Sequence, residues 1–164
     1  GDHRDLHSFP TRRSSDPGIQ IEKDYGNLPL VKCYPGQLNQ VFMNILVNAL
    51  DALEERDLDR SLEAINQNPS TIKLHTQRLG TDRVAIHIEN NGPEIPEKIR
   101  QQVFDPFFTT KPVGKGTGIG MSISYKIITE KHGGTLHCQS SAGEGTRFII
   151  EIPFDLQRSS EGLN

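Results

Sequence analysis

Residues 114–122 read GKGTGIGMS. Gly114, Gly116, Gly118 and Gly120 alternate with other residues immediately ahead of a segment whose apolar positions recur at helical spacing. Glycine has no Cβ, so the backbone here can reach positive φ and approach a ligand closely. The spacing predicts a helix from about Ile119 to His132, stopped by Gly133 and Gly134. A glycine-rich loop that feeds a helix presents unpaired N–H groups and the positive end of the helix dipole, which suits phosphate. A flexible linker is the bland alternative, but linkers seldom run straight into an amphipathic helix. The run is not a P-loop, because no Gly-Lys-Ser or Gly-Lys-Thr closes it. It is not a dinucleotide fingerprint either, because no strand leads into it.

Upstream lies FDPFFTTK, residues 104–111. Phe104, Phe107 and Phe108 are expected to anchor an otherwise mobile lid, with Lys111 and Lys115 in reach of phosphates. ENNGPEIP, residues 89–96, follows a strand and reads as a tight loop. Further upstream, Pro35 opens a helix, where its missing N–H costs nothing. Leu38, Val41, Phe42, Ile45, Leu46, Ala49 and Leu53 form its apolar face, and it fades near Leu58. Asn44, Asn48 and Asp51 are four and three residues apart and share a stripe beside that face. Asparagine is a middling helix former because its amide competes for backbone groups, and a solvated face would more cheaply use Glu, Lys or Arg. Two readings stay open on spacing alone: a polar surface, or amide oxygens offered to a hard cation such as Mg²⁺.

The rest of the chain supplies strands. Ile19, Ile21 and Tyr25 suggest one, and Leu30 to Cys33 a further fragment. Ile72, Leu74 and Thr76 alternate, as do Val84, Ile86 and Ile88, with Gly80-Thr81-Asp82 turning between them. Thr135 to Ser140 and Gly145 to Pro153 form a second hairpin through the turn GEGT, residues 143–146. A short helix runs from about Glu97 to Val103, and Asp59 to Ser70 reads as a variable loop. These elements predict an α+β, two-layer α/β sandwich with a mixed, mostly antiparallel sheet and its helices on one face. Residues 1–16 have no apolar period and read as a non-native or disordered leader, so the native sequence upstream is expected to be missing. Residues 17–154 are the domain, and 155–164 a polar tail.

Composition narrows the function. The formal net charge is −3 with no basic stripe, which disfavours nucleic acid. No apolar run approaches the roughly 18 residues that would suggest membrane insertion. Cys33 and Cys138 fall in expected strands without metal-ligand spacing, so free buried thiols in a reducing cytoplasm are expected.

Taken in order, the asparagine helix, the 89–96 loop and the run from Phe104 to Gly120 resemble the ATP-binding catalytic domain of two-component sensor histidine kinases. That domain belongs to the GHKL ATPase superfamily, and the likeness covers about Gly18 to Pro153. The resemblance implies the Bergerat fold, with ATP and Mg²⁺ held between the asparagine helix and the glycine loop. Its nucleotide site maps onto Asn44, Asn48, Asp51, Asn90, Gly92, Ile95, Phe104, Phe108, Thr110, Lys111, Lys115, Gly116, Thr117, Gly118, Ile119, Gly120, Met121 and Thr146, with Asn48 as the Mg²⁺ ligand. The segment from Phe104 to Lys115 is the implied lid, and Gly143 to Thr146 the implied back of the pocket.

Two departures stand out. The family usually has Asp at position 90, where its carboxylate accepts from the adenine amine, and Gly at position 94. Here they are Asn90 and Glu94. Loss of the charge-assisted bond is expected to weaken adenine binding by about 1 kcal/mol, and Asn90→Asp to restore it. ATP-hydrolysing relatives carry Glu four residues before the metal-binding Asn, as a general base on water. Asn44 has no such carboxylate, which points to a kinase whose nucleophile arrives from another domain. His3, His7, His75, His87, His132 and His137 all lack the family's phosphoacceptor setting. The implied partners are therefore a dimerisation and phosphoacceptor domain, in cis or in trans, and indirectly a response-regulator receiver. The implied setting is the cytoplasm, with a parent protein that can be membrane-anchored. The alternative is a catalytically degenerate nucleotide-binding regulatory module marked by Asn90 and Glu94.

Overall fold

The computed structural model describes residues 18–108 and 120–155. Strand β1 (Gln20–Tyr25) leads to the long helix α1 (Pro35–Asp57) and a short helix α2 (Leu62–Gln67). The hairpin β2 (Thr71–Leu79) and β3 (Arg83–Asn90) follows, then a single turn α3 (Glu97–Arg100). Helix α4 (Gly120–Lys126) continues as a π-helical turn over Ile127–Lys131, and the hairpin β4 (Thr135–Ser141) and β5 (Gly145–Pro153) closes the domain.

The strands form one sheet in the order β1-β2-β3-β5-β4. β1 pairs with β2 in parallel, and the other three pairings are antiparallel. Alternation along each strand sends Ile72, Leu74, Val84, Ile88, Phe148, Ile150 and Ile152 to one face. There they meet Leu38, Val41, Ile45, Ala49 and Leu53 of α1 and Ile128 of the π-helical turn in a single core. The apolar period of 3.6 in α1 and of 2 in the strands thus produces the expected two layers. The opposite face carries cross-strand ion pairs, including Lys73 with Glu22 (3.7 Å) and Arg147 with Glu89.

Some local expectations need correction. Leu30 to Cys33 is not a strand. Pro29 and Pro35 flank it and lack donors, and a backbone bond from Lys32 N–H to the Phe154 carbonyl (2.9 Å) ties it down without a ladder. Cys33 therefore lies outside the sheet, and both thiols are half-buried rather than buried. Asp59 to Ser70 is not simply a loop, because it contains α2. Ser61 Oγ accepts from the Ala64 N–H (3.1 Å) as an N-cap, and Ile65 is buried. Arg60 holds this helix to the end of α1 through Asp57 (2.9 Å) and the Ala64 carbonyl (2.8 Å). One buried apolar residue is too few to show a period, so the helix is set by its cap and by Arg60. The short helix near Glu97 ends at Arg100 and gives way to turns.

Candidate functional site

Polar residues gather at one end of the helix-covered face of the sheet. Asn90, the last residue of β3, lies opposite Thr146 of β5, and Thr146 lies opposite Ser140 of β4. Asn90 and Thr146 are buried. Ser140 joins the row together: its Oγ accepts from the Ile95 N–H (2.8 Å) and lies 2.9 Å from Thr146 Oγ1 and 3.0 Å from the Gly145 carbonyl. Arg100 donates to the Ser140 carbonyl (2.6 Å), so α3 closes the end of β4. Gly145 sits at φ 89°, and a Cβ there would overlap the Asn90 carbonyl oxygen. No other residue can bring the β5 backbone this close to β3.

The loop after β3 is held by its own asparagines. Asn90 Oδ1 accepts from the Gly92 N–H (3.0 Å). Asn91 Oδ1 accepts from the Thr71 N–H (2.8 Å), and its Nδ2 donates to the Pro69 carbonyl (3.0 Å), which ties the loop to the start of β2. Gly92 packs on α1: a Cβ there would lie 2.8 Å from Asn90 Oδ1 and 3.1 Å from Ala52 Cβ. Glu94 points outward and is exposed.

The asparagine stripe of α1 bridges this loop and the start of α4. Asn44 Nδ2 donates to the Gly120 carbonyl and to Ser124 Oγ, both at 2.9 Å. Ser124, itself buried, donates to the same carbonyl (2.8 Å). Asn48 and Asp51 follow along the helix, both half-buried, and Ala52 meets Gly92. From residue 44 to residue 52 a helix rises roughly 12 Å. The polar face of α1 therefore spans the distance between the last glycine of the 114–120 run and the 90–92 loop.

The other expected site residues divide. Met121 is buried beside this junction. Phe104 is half-buried, with its ring 5.2 Å from Tyr125 and 6.4 Å, edge-on, from Phe148. Phe108 is half-buried, and its N–H donates to the Asp105 carbonyl (3.3 Å). Phe107 does not anchor anything: it is 74% exposed and sits at φ 65°, a left-handed conformation strained for an aromatic residue. Thr110, Lys111, Lys115, Gly116, Thr117, Gly118 and Ile119 lie outside the described residues. Ala52, Ser124, Arg100 and Ser140 shape the site but were not singled out from sequence. Register against Thr146 would have marked Ser140, and spacing from Asn48 would have marked Ala52.

The described histidines occupy other places. His75, His87 and His137 lie in strands. His132 is buried between the helices: its Nδ1 meets the Ile127 carbonyl (2.9 Å) and its Nε2 accepts from the Tyr34 N–H (3.1 Å). His87 is pushed below the ordinary histidine range by burial, then by Arg147 and His75. A groove of about 420 Å³ between α3, α4 and β4 is lined by Arg100, Phe104, Tyr125 and Cys138, and none of the α1 asparagines reaches it. Burial there pushes the Cys138 thiol up to about 11.

Residues 33–156 match the family described as histidine kinase-, DNA gyrase B-, and HSP90-like ATPase. Sensor kinase CckA of Brucella abortus (strain 2308) is 40% identical over 141 residues, which cover 82% of this chain and 14% of that protein. The chain thus spans a small part of that relative's length. The solved catalytic domain of histidine kinase ThkA, in a nucleotide-free form, superposes with a TM-score of 0.68 at 32% identity, covering 85% of this chain and 82% of that one. A structure of histidine kinase ThkA in complex with response regulator protein TrrA matches with a TM-score of 0.64 at 28% identity, covering 85% of this chain and 35% of that one. The asparagine helix, the 90–92 loop and the sheet order occur here in a chain that shares its fold and a third of its residues with such a catalytic domain. The chain therefore belongs to the histidine kinase-, DNA gyrase B- and HSP90-like ATPase family, as a histidine-kinase catalytic domain.

Proposed function

We propose that this domain lays Mg-ATP along the polar stripe of α1, with the base at the Asn90–Gly92 end and the triphosphate at the Gly120 end. The γ-phosphoryl then passes to a histidine of a separate dimerisation and phosphoacceptor domain. The observation that carries this reading is the pair of contacts made by one helix, Asn44 to Gly120 and Ala52 to Gly92. On this reading Asn90, Gly92, Ile95 and Thr146 frame the base. Gly116, Thr117, Gly118, Ile119, Gly120 and Met121 cradle phosphates, Thr110, Lys111 and Lys115 reach them from the lid, and Phe104 and Phe108 root that lid. Asn44 acts by fixing the start of α4, since its amide nitrogen is engaged by Gly120 and Ser124.

Asn48 fits Mg²⁺ by donor type. Its side-chain carbonyl is a hard oxygen, half-buried on the stripe, and Mg²⁺ keeps waters and nucleotide phosphates as most of its ligands. On this reading Asn48 is the side chain the protein contributes to the ion. The ion would spread the negative charge of the phosphates during transfer. The protein's share is positioning. An imidazole nitrogen attacks the γ-phosphorus, the bond to the bridging oxygen breaks, and ADP leaves. The described histidines are in strands or buried, which supports an acceptor outside the described residues. A response-regulator receiver would take the phosphoryl group next, as the ThkA–TrrA complex suggests for that kinase. A cytoplasmic setting belongs to the same reading. Among the described residues no helix is long and apolar enough to cross a membrane.

The test is transfer of labelled phosphate from γ-labelled ATP to a separately expressed phosphoacceptor domain of a related kinase. Label on the acceptor's histidine that depends on this chain is the expected result. Release of free phosphate without any acceptor, and no label on the histidine, would show an ATP hydrolase instead.

A further inference from the structure

Asn90 fixes which polar group the base end of the site presents. The residue is 6% exposed. Its Oδ1 accepts from the Gly92 N–H at 3.0 Å. Only an oxygen can fill that position, because the amide nitrogen would set two donors against each other. The side chain therefore has one orientation, with Nδ2 as its other polar atom. Among the described residues the Asn90 side chain bonds through Oδ1 alone, and Nδ2 keeps its donors for another group. A carboxylate in this place would offer an acceptor whichever way it turned. The amide offers a donor.

From this we infer that the site binds 6-oxopurine nucleoside triphosphates, inosine and guanosine triphosphate, at least as tightly as ATP. The inference rests on the proposal that the base lies against Asn90. Adenine presents a 6-amino donor, and a 6-oxopurine presents an acceptor at the same position. Nδ2–H can donate to O6, whereas an adenine amine in the same place would set two donors against each other. Inosine triphosphate is the decisive probe, because hypoxanthine differs from adenine at position 6 and at the protonation of N1. Guanosine triphosphate adds a 2-amino group and asks whether the pocket has room for it.

The experiment measures dissociation constants of Mg-ATP, Mg-ITP and Mg-GTP for the full chain and for Asn90→Asp, by competition against a fluorescent nucleotide. The expected result is that ITP binds the native chain no more weakly than ATP. Asn90→Asp should shift the ITP-to-ATP preference toward ATP by at least tenfold, since a carboxylate repels O6. Tighter ATP than ITP binding by the native chain would overturn the inference. That result would mean that Oδ1 serves both Gly92 and an adenine amine. An unchanged preference in Asn90→Asp would also overturn it, by placing the base elsewhere. If neither protein bound any of the three nucleotides while both kept a cooperative thermal transition, the nucleotide-site proposal itself would fall, and this inference with it.

Discussion

Asn44 joins two helices through one side chain. Its amide holds the first turn of α4 through the Gly120 carbonyl and Ser124 Oγ. Asn44→Ala leaves a buried serine and a carbonyl without that donor. We expect a loss of about 1–3 kcal/mol, read from urea denaturation, with weaker nucleotide binding because the loop end of α4 is released. The spacing of Asn44, Asn48 and Asp51 was legible in the sequence, and so was the departure at Asn90. The partner of each amide was not, because a hydrogen bond across 76 residues leaves no local period. Cys138 gives a separate check. Burial raises its thiol from 9.0 to about 11, so the neutral form is favoured in the folded state. That contribution to stability is complete below about pH 9 and is lost as pH rises through about 11. Alkylation of Cys138 by iodoacetamide at pH 8 should accordingly be far slower than that of a free thiol, and should accelerate on unfolding.

At the scale of elements, α1 does most of the organising. Its apolar face builds the core, and its polar face joins the 90–92 loop to α4. Leu53→Ala should cost roughly 2–5 kcal/mol, because Leu53 is fully buried and the sheet beneath it cannot collapse into the space. A drop in the thermal midpoint without loss of cooperativity would check this. The long helix and both hairpins were readable because their periods persist over many residues. Helix α2 was not, since a single buried Ile65 carries no period and the Ser61 cap looks like any polar loop residue. The fragment at Leu30–Cys33 misled for the opposite reason: apolar residues between two prolines resemble a strand but have no ladder to join. Composition alone cannot separate Phe107, which is exposed, from Phe104, whose ring meets Tyr125 and Phe148.

For the molecule as a whole, the sheet order sets Asn90 beside Thr146, and α1 joins the 90–92 loop to the start of α4. Segments distant in sequence are linked in turn, 120 to 44, 52 to 92, and 90–95 to 140–146, because β3 and β5 are neighbours and α1 packs on the same face. Motif order along the chain implied those links, and the structure supplies their contacts. The claim beneath the rest is that α1 holds a magnesium-bound nucleoside triphosphate through Asn48. Calorimetric titration of Mg-ATP and Mg-ITP into the native chain and into Asn48→Ala, each with and without chelator, tests it most directly. The account predicts saturable binding of at least one nucleotide by the native chain, weakened at least tenfold by either the substitution or the chelator. Equal binding by both proteins in the presence of Mg²⁺, or none by a folded native chain, would contradict it.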